Sequence, residues 1–270
     1  MIRDAEMTEY FSGLKLYGDD FTLDQIKAWY EGEKEGFTDL YVREADYHYE
    51  YHALNSRHGF RHLPKRRFSG ALGLGSATGA EFSPILSDIE SLTILEPSDL
   101  YKGRNEVDGV PCRYVKPSES GDMPFEDNEF DLIVALGVLH HIPNVSHVLK
   151  ECGRCLAPGG RMLLREPIIS MGDWRKPRSG LTRHERGIPL QLFRQMIENA
   201  GMGVVHEGYC MFPPLSQLCA KLGLDAYNNR LLVAMDAMLS RSFAWNYRYH
   251  ADHFSQKFRP TSAYYILEKM

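Results

Sequence analysis

Residues 71–79 read Ala-Leu-Gly-Leu-Gly-Ser-Ala-Thr-Gly, and the fold follows from how they are read. An apolar run ends here in a glycine-rich turn. Gly73, Gly75 and Gly79 let the backbone reverse sharply and approach a ligand closely, because no Cβ stands in the way. Glu81, Phe82 and the residues to Leu86 then open a helix, which Pro84 restricts to a start near itself. Alone such a turn is weak evidence, since surface turns are also rich in glycine. What lies around it gives it weight.

Working downstream, strands alternate with helices, the signature of an α/β fold with a mostly parallel, doubly wound sheet. The expected strands are 68–74, 91–95, 112–115, 130–136, 161–165, a short one at Val204-Val205, and 261–268. The run at 130–136 is almost continuously apolar, which suits a strand buried on both faces. Asn144 is placed to cap the next helix, with Val145, Val148, Leu149, Cys152 and Leu156 as its buried stripe. Pro189 starts another helix and Gly201 ends it. A long polar connection, 170–187, carries Trp174, Arg175, Lys176, Arg178, Arg183, His184 and Arg186. Residues 208–258 break the alternation and read as an inserted helical lid, with a stripe of Leu231, Leu232, Ala234, Met235, Met238 and Leu239.

Working upstream, Thr22 with Gln25 forms a capping-box pattern before a helix running to about Gly36. A second helical stretch, 40–55, is dense in Tyr41, Tyr47, His48, Tyr49, Tyr51 and His52. These segments form an N-terminal helical cap. The expected organisation is therefore 1–62 cap, 63–207 ligand-binding core, 208–258 lid and 259–270 final strand. A basic run follows the cap at residues 57–67.

Composition narrows the function classes. The chain has 270 residues, 43% hydrophobic and 25% charged, with net charge -5. That charge argues against bulk binding of nucleic acid, which needs a basic footprint. No apolar run reaches the ~18 residues of a membrane span, and no secretory leader is visible at the N-terminus. Five cysteines without framework spacing fit reduced thiols and a cytoplasmic location. Cys152 and Cys155 lie on a helix with no second ligand pair, which points to packing rather than metal, and no metal site is expected.

Ligands of open α/β sheets bind outside the carboxyl ends of the strands, where strand order reverses. Each strand end here carries a fitting group. The first ends in the glycine turn. The second ends in Glu96-Pro97, where a carboxylate can accept both hydroxyls of a ribose. The third leads to Asp122-Met123-Pro124-Phe125, and the fourth to Leu136-Gly137-Val138-Leu139-His140-His141. A dinucleotide fits less well, because Thr78 stands where that fingerprint needs a third small residue.

From 68 to 166 the sequence resembles the class I S-adenosylmethionine-dependent methyltransferases, most of all their quinone, sterol and small-molecule branch. The residues that carry the likeness are 123–134 (Met-Pro-Phe-Glu-Asp-Asn-Glu-Phe-Asp-Leu-Ile-Val), 137–143 (Gly-Val-Leu-His-His-Ile-Pro) and 156–160 (Leu-Ala-Pro-Gly-Gly). The resemblance implies a Rossmann-like seven-stranded sheet with an antiparallel last strand, and S-adenosyl-L-methionine as cofactor. It places Gly73, Gly75, Ser76, Ala77, Thr78 and Gly79 at the methionine part, Glu96 and Pro97 at the ribose, Asp122 and Met123 at the adenine, and Leu136 and Gly137 alongside. Two positions depart from the family: Gly73 replaces an acidic residue and Ala77 replaces the middle glycine.

The implied reaction is in-line methyl transfer to a small molecule, with oxygen the expected acceptor atom. Holding the reactants in line supplies much of the rate. A hydroxyl acceptor also needs a base, for which His140, His141 and Glu166 are candidates, with Tyr49 and His52 as further cap contacts. The basic residues at 57–67 and 174–186 suggest an anionic or sugar-like acceptor. The lid offers a surface for a homodimer contact. The alternative is a binding or assembly protein that keeps the fold without catalysis.

Overall fold

The computed structural model describes residues 4–41, 49–101 and 103–270. Its strands are β1 (Ala71–Leu74), β2 (Leu92–Leu95), β3 (Glu106–Val107), β4 (Val110–Val115), β5 (Phe130–Leu136), β6 (Leu156–Pro167), β7 (Met202–Cys210) and β8 (Ser262–Lys269). They form one sheet in the order β3-β4-β2-β1-β5-β6-β8-β7. The run β4-β2-β1-β5-β6 is parallel, and β8 inserts antiparallel between β6 and β7. This is the expected seven-stranded sheet with a reversed last strand, plus the two-residue β3 that makes a hairpin with β4. Strand order reverses between β1 and β5, so the turn after β1 sits at the switch point.

The helices are α1 (Asp4–Ser12), α2 (Leu23–Tyr41), α3 (His52–His58), α4 (Val145–Cys155), α5 (Leu190–Asn199), α6 (Pro213–Lys221) and α7 (Arg230–Ser242). Alternation along each strand divides the core into two faces. Leu72, Leu74, Ile133, Ala135 and Leu164 pack with α4 and α5 on one face. Ala71, Leu132, Val134, Leu163 and Tyr264 pack on the other against Phe60, Phe82, Ile85 and Leu86. The segment after the glycine turn is a 3₁₀ helix over Ala80–Asp88, not a regular α-helix, with Pro84 inside it.

Several local expectations change. The second cap helix is only partly seen: α3 begins at His52, while residues 42–48, including Tyr47 and His48, lie outside the described residues. Gln25 Oε1 does accept the Thr22 N–H at 2.9 Å. Asn144 precedes α4 but does not cap it, because its Nδ2 donates to Ser120 O at 2.7 Å. Asp19 caps from another segment instead, taking the Ser146 N–H at 2.7 Å and the Ser146 hydroxyl at 2.6 Å. The strand expected at 204–205 extends to Cys210, so the insert starts later than position 208.

The insert's apolar stripe is only half used: Leu232 and Leu239 pack, partly buried, against Phe212, Leu215 and Cys219. α7 buries Val233, Asp236 and Ser240, and exposes Leu231, Met235 and Met238. The buried carboxylate of Asp236 explains it: its oxygens accept the N–H groups of Met211 and Phe212, at 2.9 and 2.7 Å, where β7 leads into the insert. A pair of charged hydrogen bonds to otherwise orphaned backbone donors outweighs burial of two methionines.

Candidate active site

The glycine turn is held from its neighbours. Gly75 N–H continues the sheet by donating to Leu95 O at 2.9 Å. Gly75 has φ +56°, and a Cβ there would press on the Val138 methyl groups at 2.9 and 3.0 Å. The turn after β1 and the turn after β5 thus approach as only glycine permits. Ala77 also lies in the left-handed region, at φ +44°. A non-glycine residue there costs about 1–2 kcal/mol. Its peptide groups are pinned: Glu96 Oε2 accepts the Ala77 N–H at 3.2 Å, and the Tyr114 hydroxyl donates to Ala77 O at 3.0 Å. Glu96 Oε1 accepts from Ser98 N at 3.2 Å. Burial raises the Glu96 pKa, and these two backbone donors oppose the rise. Pro97 and Thr78 stand beside these contacts in the chain.

Gly73 stands where the resemblance expects an acid. A Cβ there would lie 2.3 Å from Ser76 Oγ and 2.9 Å from Phe82 Cε2. The Ser76 side chain has taken that room, which is why the position is glycine in this chain.

The turn after β5 is clamped from two sides. Glu166, fully buried at the end of β6, accepts the N–H groups of Val138 and Leu139 at 2.8 Å each and of His140 at 3.3 Å. Its second oxygen meets His140 Nδ1 at 2.7 Å. The His140 contact and the backbone donors hold its pKa low against burial. Arg186 takes the carbonyls: its guanidinium donates to Leu139, His140, Ile142 and Pro143 and to Tyr17 on the cap. It lies 5.0 Å from the Trp29 ring, and Trp29 Nε1 donates to His141 O at 2.8 Å. Arg186 is fully buried, and desolvation lowers its pKa to about 10.

His140 is therefore set between carboxylates, with Nε2 3.5 Å from Glu185 Oε1. Burial lowers its pKa, so it is neutral at pH 7. His141 Nδ1 meets Glu33 Oε2 at 3.2 Å, and Glu33 also accepts from Thr182 and His184. His140, His141 and Glu185 offer ligand atoms within 4.8 Å of one another.

Three expectations change here. The polar connection does not present its arginines to a ligand: Arg178 donates to the carbonyls of Met171, Thr182, Arg183 and Glu185, Arg186 is the clamp, and Arg175 pairs with Asp173. The end of the run at 57–67 lies away from the mouth. Arg66 reaches Asp131 at 3.7 Å and Arg67 reaches Glu90 at 4.0 Å, both at the amino ends of strands, opposite the glycine turn. His62 stacks on His206 of β7. Glu166 is also no free base, since the clamp uses its oxygens.

Asp122 is exposed and bonded to Ser120 and His147, while Met123 is buried in the core with its N–H on Glu151. Both follow β4 and so belong to the same rim. Leu136 and Gly137 close it: Leu136 O accepts from Arg165 Nη2 at 3.4 Å, and Gly137 N–H donates to Arg165 O at 2.7 Å. Tyr49 and His52 lie on the cap side, with the Tyr49 hydroxyl accepting from Asn55. The sequence reading missed the roles of Arg165, Asn55 and Glu33 and gave Arg186 to the acceptor, because their partners are distant in the chain. The rim nevertheless fits a nucleoside-bearing ligand: a glycine cradle a Cβ would fill, a carboxylate after β2, and a buried Ser76 hydroxyl with no partner in the described structure.

Comparison with known proteins agrees. Residues 72–164 match the model of the Methyltransferase domain family. The match covers about a third of the chain. The chain is 33% identical over 88 residues to the ubiquinone/menaquinone biosynthesis C-methyltransferase UbiE of Idiomarina loihiensis, covering 33% of this chain and 34% of that one. It is 43% identical over 65 residues to the sterol 4-C-methyltransferase strm-1 of Caenorhabditis elegans, covering 24% and 19%. The chain thus matches about a third or less of the length of these relatives. Among solved structures it is similar to the methyltransferase in complex with the Haloferax volcanii Trm112 methyltransferase activator, at TM-score 0.54 and 14% identity over 90% of this chain and 97% of the other. It is also similar to Haemonchus contortus phosphoethanolamine N-methyltransferase 2 in complex with S-adenosyl-L-methionine, at TM-score 0.53 and 14% identity over 80% and 52%. At that identity the likeness concerns the fold. S-adenosylmethionine is the cofactor typical of the methyltransferase family.

Proposed function

We propose that the protein transfers a methyl group from S-adenosylmethionine to a small molecule, with oxygen as acceptor atom. The observation that carries the reading is the joining of the turns after β1, β2 and β5 through Gly75–Val138 and Ala77–Glu96 contacts over one rim. Gly75 to Gly79 would bound the methionine end, Glu96 and Pro97 the ribose, Asp122 and Met123 the adenine, and Leu136 and Gly137 the side nearest the acceptor. When bound, the cofactor supplies an electrophilic methyl group on a sulfonium.

The chain's part is to hold the acceptor in line, exclude water and take one proton. His140 suits the last task. Glu166 holds its Nδ1, fixing the tautomer, so Nε2 is left with a lone pair for an acceptor hydroxyl. Glu166 is then a positioning residue. His141, tied to Glu33, fixes the same turn to the cap. α1, α2 and the insert form the cap and lid over the acceptor. The engaged arginines argue for a neutral acceptor over an anionic one. Five buried, free cysteines suit a reducing compartment such as the cytoplasm.

Calorimetry tests the reading. The parent protein binds S-adenosylhomocysteine, and Glu96→Ala weakens it about tenfold or more. Equal affinity of parent and variant would remove Glu96 from the site.

A further inference from the structure

On the other face of the sheet from the His140 clamp lies a second buried polar group, which the roles above leave unused. Glu81, in the 3₁₀ helix after the glycine turn, is 6% exposed; Arg165, at the end of β6, is also 6% exposed. Neither has an ion-pair partner within 4 Å among the described residues. Arg165 makes only long contacts, 3.4 Å to Asn55 Oδ1 and 3.4 Å to Leu136 O, and stacks 4.2 Å from the Tyr51 ring. Ser76 Oγ lies beside Glu81 without a well-formed hydrogen bond, and the fully buried Tyr264 hydroxyl also has no partner.

Buried charged groups are normally paired, and each orphan needs an explanation. Here a carboxylate without an ion-pair partner, a guanidinium with only long contacts and two hydroxyls without a hydrogen bond among the described residues lie on one face of the sheet. They border the turn whose glycines admit a close ligand. The complement of such a set is a zwitterion, with an ammonium for the carboxylate and a carboxylate for the planar fork of the guanidinium.

We propose that Glu81 and Arg165 together receive the amino-acid end of the cofactor, Glu81 binding its ammonium and Arg165 its carboxylate. This rests on the cofactor reading above and assigns to it residues that the strand-end motifs do not contain. It also accounts for Gly73. The side chain at that position would point to the same face as Ala71, toward Phe82 and Ser76. In this chain the negative charge on that face comes from Glu81, eight positions later.

Supporting this, burial raises the Glu81 pKa to about 7, with Ser76 and Arg165 opposing the rise and Glu96 adding to it. Tyr264 on β8 also faces it and is neutral, its own pKa pushed far up by burial. An ammonium ligand would draw the proton from Glu81.

The test compares two ligands by calorimetry. S-adenosylhomocysteine carries the amino-acid group; 5′-methylthioadenosine has the same adenosine and sulfur without it. Glu81→Gln and Arg165→Met each weaken S-adenosylhomocysteine about tenfold to a hundredfold, while methylthioadenosine changes less than about twofold. Arg165→Lys keeps the charge and restores part of the loss. At pH 7, binding of S-adenosylhomocysteine releases protons from the parent and not from the Glu81→Gln variant, read in buffers of different ionisation heat. Equal weakening of both ligands, or none, overturns the proposal. A parent that binds neither ligand refutes the cofactor reading itself, a separate outcome.

Discussion

The two buried polar clusters lie on opposite faces of one sheet and are built from adjacent residues of one strand, Arg165 and Glu166. They differ in how completely the protein satisfies them. Around Glu166 the backbone donors of 138–140, the His140 ring and the guanidinium of Arg186 use nearly every hydrogen-bonding position. Around Arg165 the contacts are long, and Ser76 and Tyr264 have no partner. The saturated cluster stabilises a turn and leaves His140 Nε2 as its one position for an acceptor. The unsaturated one is open to a ligand. Burial alone does not separate a structural polar group from a binding one; the count of unmet hydrogen bonds does.

The contrast can be broken by mutation. The largest expected effect is at the saturated side. Arg186→Met leaves Ile142 O without its donor, takes the guanidinium from the carbonyls of residues 17, 139, 140 and 143, and should cost about 3 kcal/mol in denaturant unfolding. A loss under about 1 kcal/mol would mean that water replaces the guanidinium and that the clamp is not saturated.

Next comes the open side, where the sign is opposite. Glu81 has a folded-state pKa raised to about 7 from an ordinary value near 4.5. Its contribution to stability is therefore complete below about pH 4.5 and is lost as pH rises through about 7. Glu81→Gln removes that slope and should stabilise the ligand-free protein at pH 8 by up to about 3 kcal/mol, while weakening the cofactor. Glu166 runs the other way: its pKa is held low, so its contribution is lost only as pH falls below the ordinary glutamate range. Parallel pH–stability curves for parent and Glu81→Gln would sink the contrast.

Smaller effects calibrate it. Asp19→Ala removes the cap that α4 borrows from the N-terminal segment and should cost about 1 kcal/mol in thermal unfolding, with cofactor affinity unchanged. Ala77→Gly relieves a left-handed alanine, offset by the greater chain entropy of glycine, and should stabilise by about 0.5–1 kcal/mol. A destabilised Ala77→Gly protein would show that the turn is not strained.

Much of the fold was legible in the sequence, because its signals are local. The apolar run at 130–136 and the stripe of α4 follow from spacing alone, and the glycine turn marks the rim. What was hidden depended on distant partners. Asn144 has the right chemistry for a cap, yet Ser120 captures its amide while Asp19 supplies the cap. The apolar residues of α7 have helical spacing, but Asp236 is drawn inward by two backbone donors. Arg178 and Arg186 look like a ligand-facing basic cluster until their carbonyl partners, up to 169 positions away, are seen. Within the site, the strand-end motifs pointed to Glu96, Gly137 and His140. They could not reveal Glu81, whose meaning depends on Ser76 filling the space beside Gly73.

Thermal unfolding of the parent protein with S-adenosylhomocysteine is the most direct measurement. Ligand at about 100 times its dissociation constant adds about 2.7 kcal/mol, which should raise Tm by about 5–10 °C. An unchanged Tm at millimolar ligand would contradict the assignment of this rim as a cofactor site.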